Sequence, residues 1–470
     1  MSRIVTKVDI AIIGGGPVGT LLANLLGQRG LSVLVIEKQP RPYDLPRAIH
    51  FDGEAMRVFQ SAGLAQAVLP HTHVGVGMLF QDGQGKTLID WSRAQTIGPM
   101  GWYESYRFYQ PGLEAALTEG LSRFENVKRV HGCAVTRLSQ DADQVRLTLE
   151  TGEEVTARYA VGCDGAQSFT RNQLDVAFED LGFRERWLVV DCKLTRPRPD
   201  LGDHSIQYCD PDTPATYVRG VEDWRRWEMR VEDDRTTITD AEVWEKLSRW
   251  ITPADATLER AALYTFRSAI ARKWQVGRVF LAGDAAHLMP PFMGQGMCAG
   301  VRDAANLAWK LAAATGGQDV LASYGSERAA NLRSFVEMTM RLGRLINQTA
   351  AGAAPRGQMK SIWPALGPGL GVRDGIAGSL APQEITGQGH GDDQSASGFT
   401  LLCAEPTEGG LTDTSGWLAE KGLNACLIRP DGYVLETMST GDPATLIQRH
   451  RALIEALPAR RGYPLRTNPA

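Results

Sequence analysis

Val8-Asp-Ile-Ala-Ile-Ile13-Gly14-Gly-Gly16-Pro17-Val-Gly19 is the stretch that decides the fold. Its first six residues are a short, mostly β-branched apolar run, the pattern of a strand buried on both faces. Gly14 demands a turn. From Pro17 to about Arg29 the apolar residues Val18, Leu21, Leu22, Leu25 and Leu26 recur at helical spacing, and Gly30 closes the run as a C-terminal glycine does. Ser32 to Ile36 forms a second buried strand, so the first forty residues read as one βαβ unit of an α/β, Rossmann-like domain.

Between strand and helix stands Gly14-x-Gly16-x-x-Gly19, with Glu37 eighteen residues further on and Lys38 beside it. Glycine at 14 permits the tight turn, glycine at 16 lets a backbone approach a pyrophosphate, and glycine at 19 allows close helix packing. Pro17 starts a helix whose free N–H groups and positive dipole end suit phosphates. A carboxylate at Glu37 would accept from an adenosine ribose, so Gly14, Gly16, Pro17, Gly19, Glu37 and Lys38 are candidate dinucleotide contacts. The fingerprint does not tell NAD from FAD, and it occurs once.

The rest of the composition narrows the classes. With 470 residues, two or three domains are expected. A net charge of −4 gives no field to draw nucleic acid or anionic lipid. Seven scattered cysteines without a C-x-x-C pair argue against a disulfide framework and against a zinc site, and suit a reducing cytoplasm. Arg3 and Lys7 precede an apolar stretch, but Asp9 and the glycine run break any signal-peptide pattern, and no uncharged run of about 18 residues could span a membrane.

Domain boundaries follow from changes of pattern. Residues 1–175 and 267–352 form the dinucleotide-binding domain, with a hairpin from Val145 to Val161, a buried strand at Val279–Ala282 and helices at 294–314 and 326–347. Residues 176–266 read as an inserted mixed β-sheet, with strands at 187–194, 205–208, 216–218 and 226–231. Gly- and Pro-rich 353–396 reads as a linker, and 397–470 as a small α/β tail with strands near 399–402 and 425–428 and one helix from Pro443 to Leu457.

Two further segments settle the cofactor. Arg278-Val-Phe-Leu-Ala-Gly-Asp284-Ala-Ala-His287-Leu-Met-Pro290-Pro291-Phe-Met-Gly294-Gln-Gly296 resembles the "GD" motif of the single-component (class A) flavoprotein aromatic hydroxylases. Cys163-Asp164-Gly165-Ala-Gln-Ser168-Phe-Thr-Arg171 resembles their "DG" motif. Pro46 to Glu54, Phe108 to Pro111, Gln207 to Pro211 and Arg225 to Glu228 are similar to segments of the 3-(3-hydroxyphenyl)propionate hydroxylase group. Members of that group usually carry a longer thioredoxin-like C-terminal domain, which is shortened here.

The resemblance implies FAD, NADPH or NADH as a transient donor, and dioxygen, with a phenolic aromatic acid or related phenol hydroxylated through a flavin hydroperoxide. It adds Arg47, Gln110, Asp164, Asp284, Pro291, Gly294, Gln295 and Gly296 to the cofactor contacts. Asp284 would accept from the ribityl chain, and the helix beginning at Gly294 would face the flavin's pyrimidine end. His50, three residues past Arg47, is the candidate catalytic group for a phenolic proton, against the alternative of a hydrogen-bonded structural histidine. Tyr208, Tyr217 and Arg219 are candidate substrate contacts on the inserted sheet. His287 reads as structural, and Cys163 and Cys298 as packing residues. A related flavin oxidase, epoxidase or halogenase, or a non-enzymatic FAD-binding protein, remain alternatives. A homodimer, the exact phenol and the choice between NADH and NADPH stay open.

Overall fold

The computed structural model describes residues 5–42, 44–45, 47–210, 214–231, 236–350, 357–358, 361–371 and 375–461. The opening run becomes the strand Val5–Ile13, followed by the helix Pro17–Gly27 and the strand Val33–Glu37. Ile12 pairs in parallel with Val35 on one side and with Val161 on the other. This strand has neighbours on both edges and is covered on both faces, by the helix Pro17–Gly27 on one and by the strands Val135–Gln140 and Val145–Leu149 on the other, which is why it carries so little polar sequence. Further strands extend the order to Val127–His131 at one end and to Val279–Leu281 and Gln275–Val276 at the other. The expected hairpin is present as Val145–Leu149 and Glu154–Gly162, with Leu147 opposite Val155.

The second sheet has nine strands. Its spine is an antiparallel ribbon of two long strands, Phe178–Leu194 and Ala256–Ala271, the second of which the sequence pattern does not mark. Trp224–Arg230, Ala215–Arg219 and Ser205–Tyr208 follow in order. The sheet then reaches outside the expected 176–266 span, because Gly77–Gln81 pairs in parallel with Ser205–Tyr208 and brings its hairpin partner Thr87–Ser92 along. A helix, Asp240–Leu247, covers one face. Its capping box, Thr239 with Glu242, fixes where it starts.

Residues 361–396, expected as linker, are bound to the first domain where described. Arg57 pairs with Asp392, Gln60 with Gln383, and the Leu370 N–H donates to Glu327. The tail is a four-stranded sheet ordered Leu411–Thr412, Thr400–Cys403, Ala425–Ile428, Val434–Met438. Its single expected helix is split into Ala444–Arg449 and Arg451–Glu455 at His450, whose ring bonds Glu436. No helix among the described residues is long and apolar enough to cross a membrane.

Candidate active site

The turn after the first strand is shaped by its glycines. Gly14 has φ +104°, and a Cβ there would lie 2.4 Å from the Cys163 carbonyl oxygen. A Cβ on Gly19 would lie 2.1 Å from the Gly14 carbonyl oxygen, so neither position tolerates a side chain. A Cβ on Gly16 would meet nothing within 4 Å. Open space therefore stands in front of a helix that no side chain caps and that Pro17 begins. The Glu37 carboxylate accepts from the N–H of Gly15 at 2.7 Å and of Gln39 at 2.8 Å, which fixes it beside the turn with lone pairs to spare. Lys38 is exposed next to it. Arg129, which sequence reasoning missed, donates to the Gly15 carbonyl at 2.9 Å. It lies on a strand more than a hundred residues away, and no local pattern marks it.

At the other end of the sheet, Val279–Leu281 runs into a short turn, Gly283–Ala285. Protein encloses Asp284, yet the residue stays exposed, and its carboxylate has no hydrogen-bond partner among the described residues. Burial raises its carboxyl above the usual range, against the pull of His287 and Arg47. An exposed carboxylate with no partner of its own suits a polyhydroxyl chain. Pro291–Met293 forms the next turn, and Gly294, at φ +62°, starts the uncapped helix Gln295–Thr315. Gly296 has open space at its Cβ position, with only Met289 near, at 3.8 Å.

The loop is held from behind by Asp303, which accepts from the Gly283 N–H at 2.9 Å, His287 Nε2 at 2.7 Å and Arg328 Nε at 2.9 Å. His287 is 1% exposed and stacked on Trp274, a packing role. An open glycine cradle, two uncapped helix N-termini and the exposed, unpartnered carboxylate of Asp284 together fit FAD.

Three of the expected cofactor contacts have side chains engaged elsewhere. Gln110 Oε1 accepts from the N–H groups of Arg47 and Ala48, at 2.8 and 2.7 Å, so it shapes that segment. The Gln295 carboxamide lies between Asp52 and Arg302, which leaves its backbone N–H for a ligand. Asp164 accepts from Ser168 Oγ and from the Thr170 N–H and hydroxyl. Arg47 itself is exposed, and its carbonyl accepts from Arg226 Nη1 at 2.6 Å.

The sheet corrects the substrate expectation. Tyr208, Tyr217 and Arg219 share the parity of Ile206 and Ala215, residues packed toward the helix Asp240–Leu247. Tyr217 is fully buried against Trp227, and Tyr208 packs on Trp250. A strand turns successive side chains to opposite faces, so the residues one position away face the flavin domain instead. That inner face carries Phe80, Ile89, Trp91 and Trp187, with Gln207, Thr216, Arg226 and Glu228 on neighbouring strands. Trp187 meets Phe292 of the cofactor loop edge-on, with ring centroids 5.4 Å apart. An apolar, aromatic cluster thus packs between the sheet and that loop, and the face of the sheet that carries it is called the chamber side.

His50 lies on the strand His50–Asp52, with its ring beside Gly294. Its Nε2 lies 3.1 Å from Ser105 Oγ, and a Cβ on Gly294 would lie 2.8 Å from its Nδ1. Burial presses its pKa down to about 4, with Asp52 opposing and Arg93 assisting. Arg93 lies over the Trp91 ring at 4.2 Å, and its guanidinium has no hydrogen-bond partner among the described residues.

Residues 7–339 match the family described as FAD binding domain. The chain is 36% identical to a probable NADH-specific resorcinol 4-hydroxylase of Rhodococcus jostii (strain RHA1), over 97% of both chains. It is 38% identical to a 3-(3-hydroxy-phenyl)propionate/3-hydroxycinnamic acid hydroxylase of Mycolicibacterium gilvum (strain PYR-GCK), over 73% of this chain and 61% of that one. The chain thus spans about three fifths of that relative's length. Among solved structures, a ternary complex of aklavinone-11 hydroxylase with FAD and aklavinone has TM-score 0.79 at 20% identity, covering 96% of this chain and 99% of that one. At that identity the likeness speaks for the fold.

Proposed function

The chain belongs to the FAD-binding flavoprotein aromatic hydroxylases, and from that premise we propose that it hydroxylates a compact phenol of the resorcinol type with NADH as donor. FAD, when bound, supplies the reduction of dioxygen and the oxygen atom placed on the ring. Everything else falls to the chain. Gly14, Gly16, Pro17 and Gly19 would cradle the pyrophosphate, Glu37 the adenosine ribose, and Asp284 the ribityl hydroxyls. The backbone N–H groups at Gly294–Gly296 would face the flavin ring. Phe80, Trp91, Trp187 and Phe292 would keep water from the reacting carbon. His50 we read as a positioning residue for the Gly294 turn, because a histidine pressed to about pKa 4 is a weak acceptor for a phenolic proton.

The observation that supports this reading is the aromatic inner face of the sheet, where Trp187 packs on Phe292 of the turn that follows Asp284. The match along 97% of the resorcinol hydroxylase supports a small substrate. A second reading, a phenolic acid, is favoured by Arg93, a desolvated cation on the chamber wall able to hold a carboxylate. Product formed per NADH oxidised, with resorcinol and with 3-(3-hydroxyphenyl)propionate, decides between them. Coupled turnover on the acid, lost in Arg93→Gln, would favour the second, and NADH oxidation that responds to neither would refute both.

A further inference from the structure

The inner face of the sheet carries a group that the flavin site leaves unused. On the strand Trp224–Arg230, Trp227 and Met229 pack toward the helix Asp240–Leu247, so Arg226 and Glu228 point the other way. Asp191 sits opposite Arg226 on the next strand, and Arg260 opposite Asp191 on the one after. Two carboxylates and two guanidiniums therefore meet, but they share their bonds unevenly.

Arg226 turns Nε onto Asp191 at 2.7 Å and Nη1 onto the Arg47 carbonyl at 2.6 Å. Arg260 also pairs with Asp191. Glu228 is left with Arg226 Nη1 at 3.8 Å, beyond hydrogen-bonding distance. Its carboxylate accepts no hydrogen bond among the described residues. The side chain is 10% exposed, on the face of the sheet opposite Trp227 and the helix Asp240–Leu247. Burial pushes its carboxyl above the usual range, Asp191 adds to this, and Arg226 and Arg260 oppose it. Thr216, its cross-strand neighbour, donates to Gln207 and so supplies Glu228 with nothing.

We propose that Glu228 is a catalytic residue that accepts a hydrogen bond from the substrate's phenolic hydroxyl and takes its proton as the ring carbon bonds to oxygen. The phenolic O–H bond breaks, a carboxyl O–H bond forms, and the released electron pair drives the ring carbon onto one oxygen atom of dioxygen; the O–O bond breaks, and the other oxygen leaves as water with the two electrons that NADH supplies. When the ring rearomatises, the C–H proton leaves to water and Glu228 returns its own proton to the phenolic oxygen. The proposal rests on the phenol-hydroxylating reading above. A buried carboxylate with an empty acceptor position fits a neutral donor better than an anion, and a phenol O–H is that donor.

The test compares FAD-loaded wild type with Glu228→Gln on resorcinol and on fluorinated phenols of falling pKa. The expected result is a kcat/KM for product about 10²-fold lower on resorcinol, with the deficit shrinking at least tenfold toward the most acidic phenols, which need a base least. The wild-type kcat/KM should also fall as pH drops through the raised Glu228 carboxyl, and the variant should lack that limb. A second readout is equilibrium binding, followed by the flavin absorbance change. The variant should bind resorcinol about tenfold more weakly and bind its dimethyl ether as wild type does. A deficit constant across the phenol series, or no deficit, overturns the proposal while leaving the hydroxylase reading intact. If Glu228→Gln does not fold with FAD, Glu228→Asp on the same series decides: a deficit growing with phenol pKa supports the proposal and a flat one overturns it. Wild type inactive on every phenol overturns both readings.

Discussion

Two buried charge clusters in this molecule are built from the same residue types and end in opposite states. The first ties the tail to the flavin domain. Glu327 accepts from Lys310 Nζ at 2.6 Å, Arg429 Nη1 and Nη2 at 3.0 and 2.9 Å, Asn306 at 3.0 Å and the Leu370 N–H at 2.9 Å. Asp431 takes the rest of Arg429. Burial opposes ionisation of Glu327, yet Arg429 and Lys310 outweigh it and hold its carboxyl at about 2. In the second cluster, on the inner face of the sheet, both arginines pair with Asp191, Arg226 also bonds the Arg47 carbonyl, and Glu228 is left with Arg226 Nη1 at 3.8 Å. The first cluster lines a pocket through Glu327 and Arg429, but its hydrogen bonds are already made within the fold, whereas the Glu228 carboxylate keeps an acceptor position that the fold does not use.

Breaking the saturated cluster should give the largest effect. Arg429→Met removes the shared partner of two buried carboxylates, and loss of one member of such a pair costs about 3–5 kcal/mol. Denaturant unfolding should show that loss. Product per NADH in the protein that stays folded should match wild type, because no atom of this cluster reaches the chamber. A variant of normal stability but poor coupling would dissolve the distinction between the clusters.

His50 offers a test of intermediate size, since it too is buried with an unfilled nitrogen, Nδ1. Its pKa is about 4 in the folded protein against 6.5 unfolded. A depressed value means that stability is fully present above about pH 6.5 and is lost as pH falls toward 4, because the unfolded chain binds the proton first. The loss by pH 4 is about 3 kcal/mol on top of the carboxylate titrations common to any variant. Unfolding at pH 7 and pH 4 should therefore give a smaller pH difference for His50→Gln than for wild type. Equal differences would mean that the ring is solvated, and then His50 returns as a candidate for proton transfer.

What could be read beforehand follows the reach of each interaction. The dinucleotide turn was legible because Gly14, Gly16 and Gly19 answer to one another across five residues, and the Val145–Val161 hairpin because its pairing is local. The side-chain partners of Gln110 and Gln295 were not legible, since Arg47 and Asp52 lie far off in sequence. Arg129 and Asp303 were missed for the same reason. The sheet shows the limit most sharply. Alternation at 205–208 and 215–219 separates two faces correctly, but which face meets the flavin domain depends on where Asp240–Leu247 docks, and that helix is specified elsewhere in the chain.

The smallest expected effect tests that choice of face. Tyr217 and Thr216 are adjacent in sequence and point to opposite sides of the same strand. The Tyr217 hydroxyl, buried beside Arg225, makes no hydrogen bond among the described residues. Removing an unpartnered buried hydroxyl while keeping the ring should change stability by less than about 1 kcal/mol, and Tyr217→Phe should leave kcat/KM for the phenol at the wild-type value. Thr216→Val keeps the shape but takes the 2.7 Å bond from Gln207 Oε1, on the chamber side and next to Glu228. Losing that bond costs about 1–3 kcal/mol shared between folding and the arrangement of the roof, so KM for the phenol should rise severalfold with FAD still bound. The reverse result, a kinetic defect in Tyr217→Phe and none in Thr216→Val, would turn the sheet over and remove Glu228 from the chamber with it.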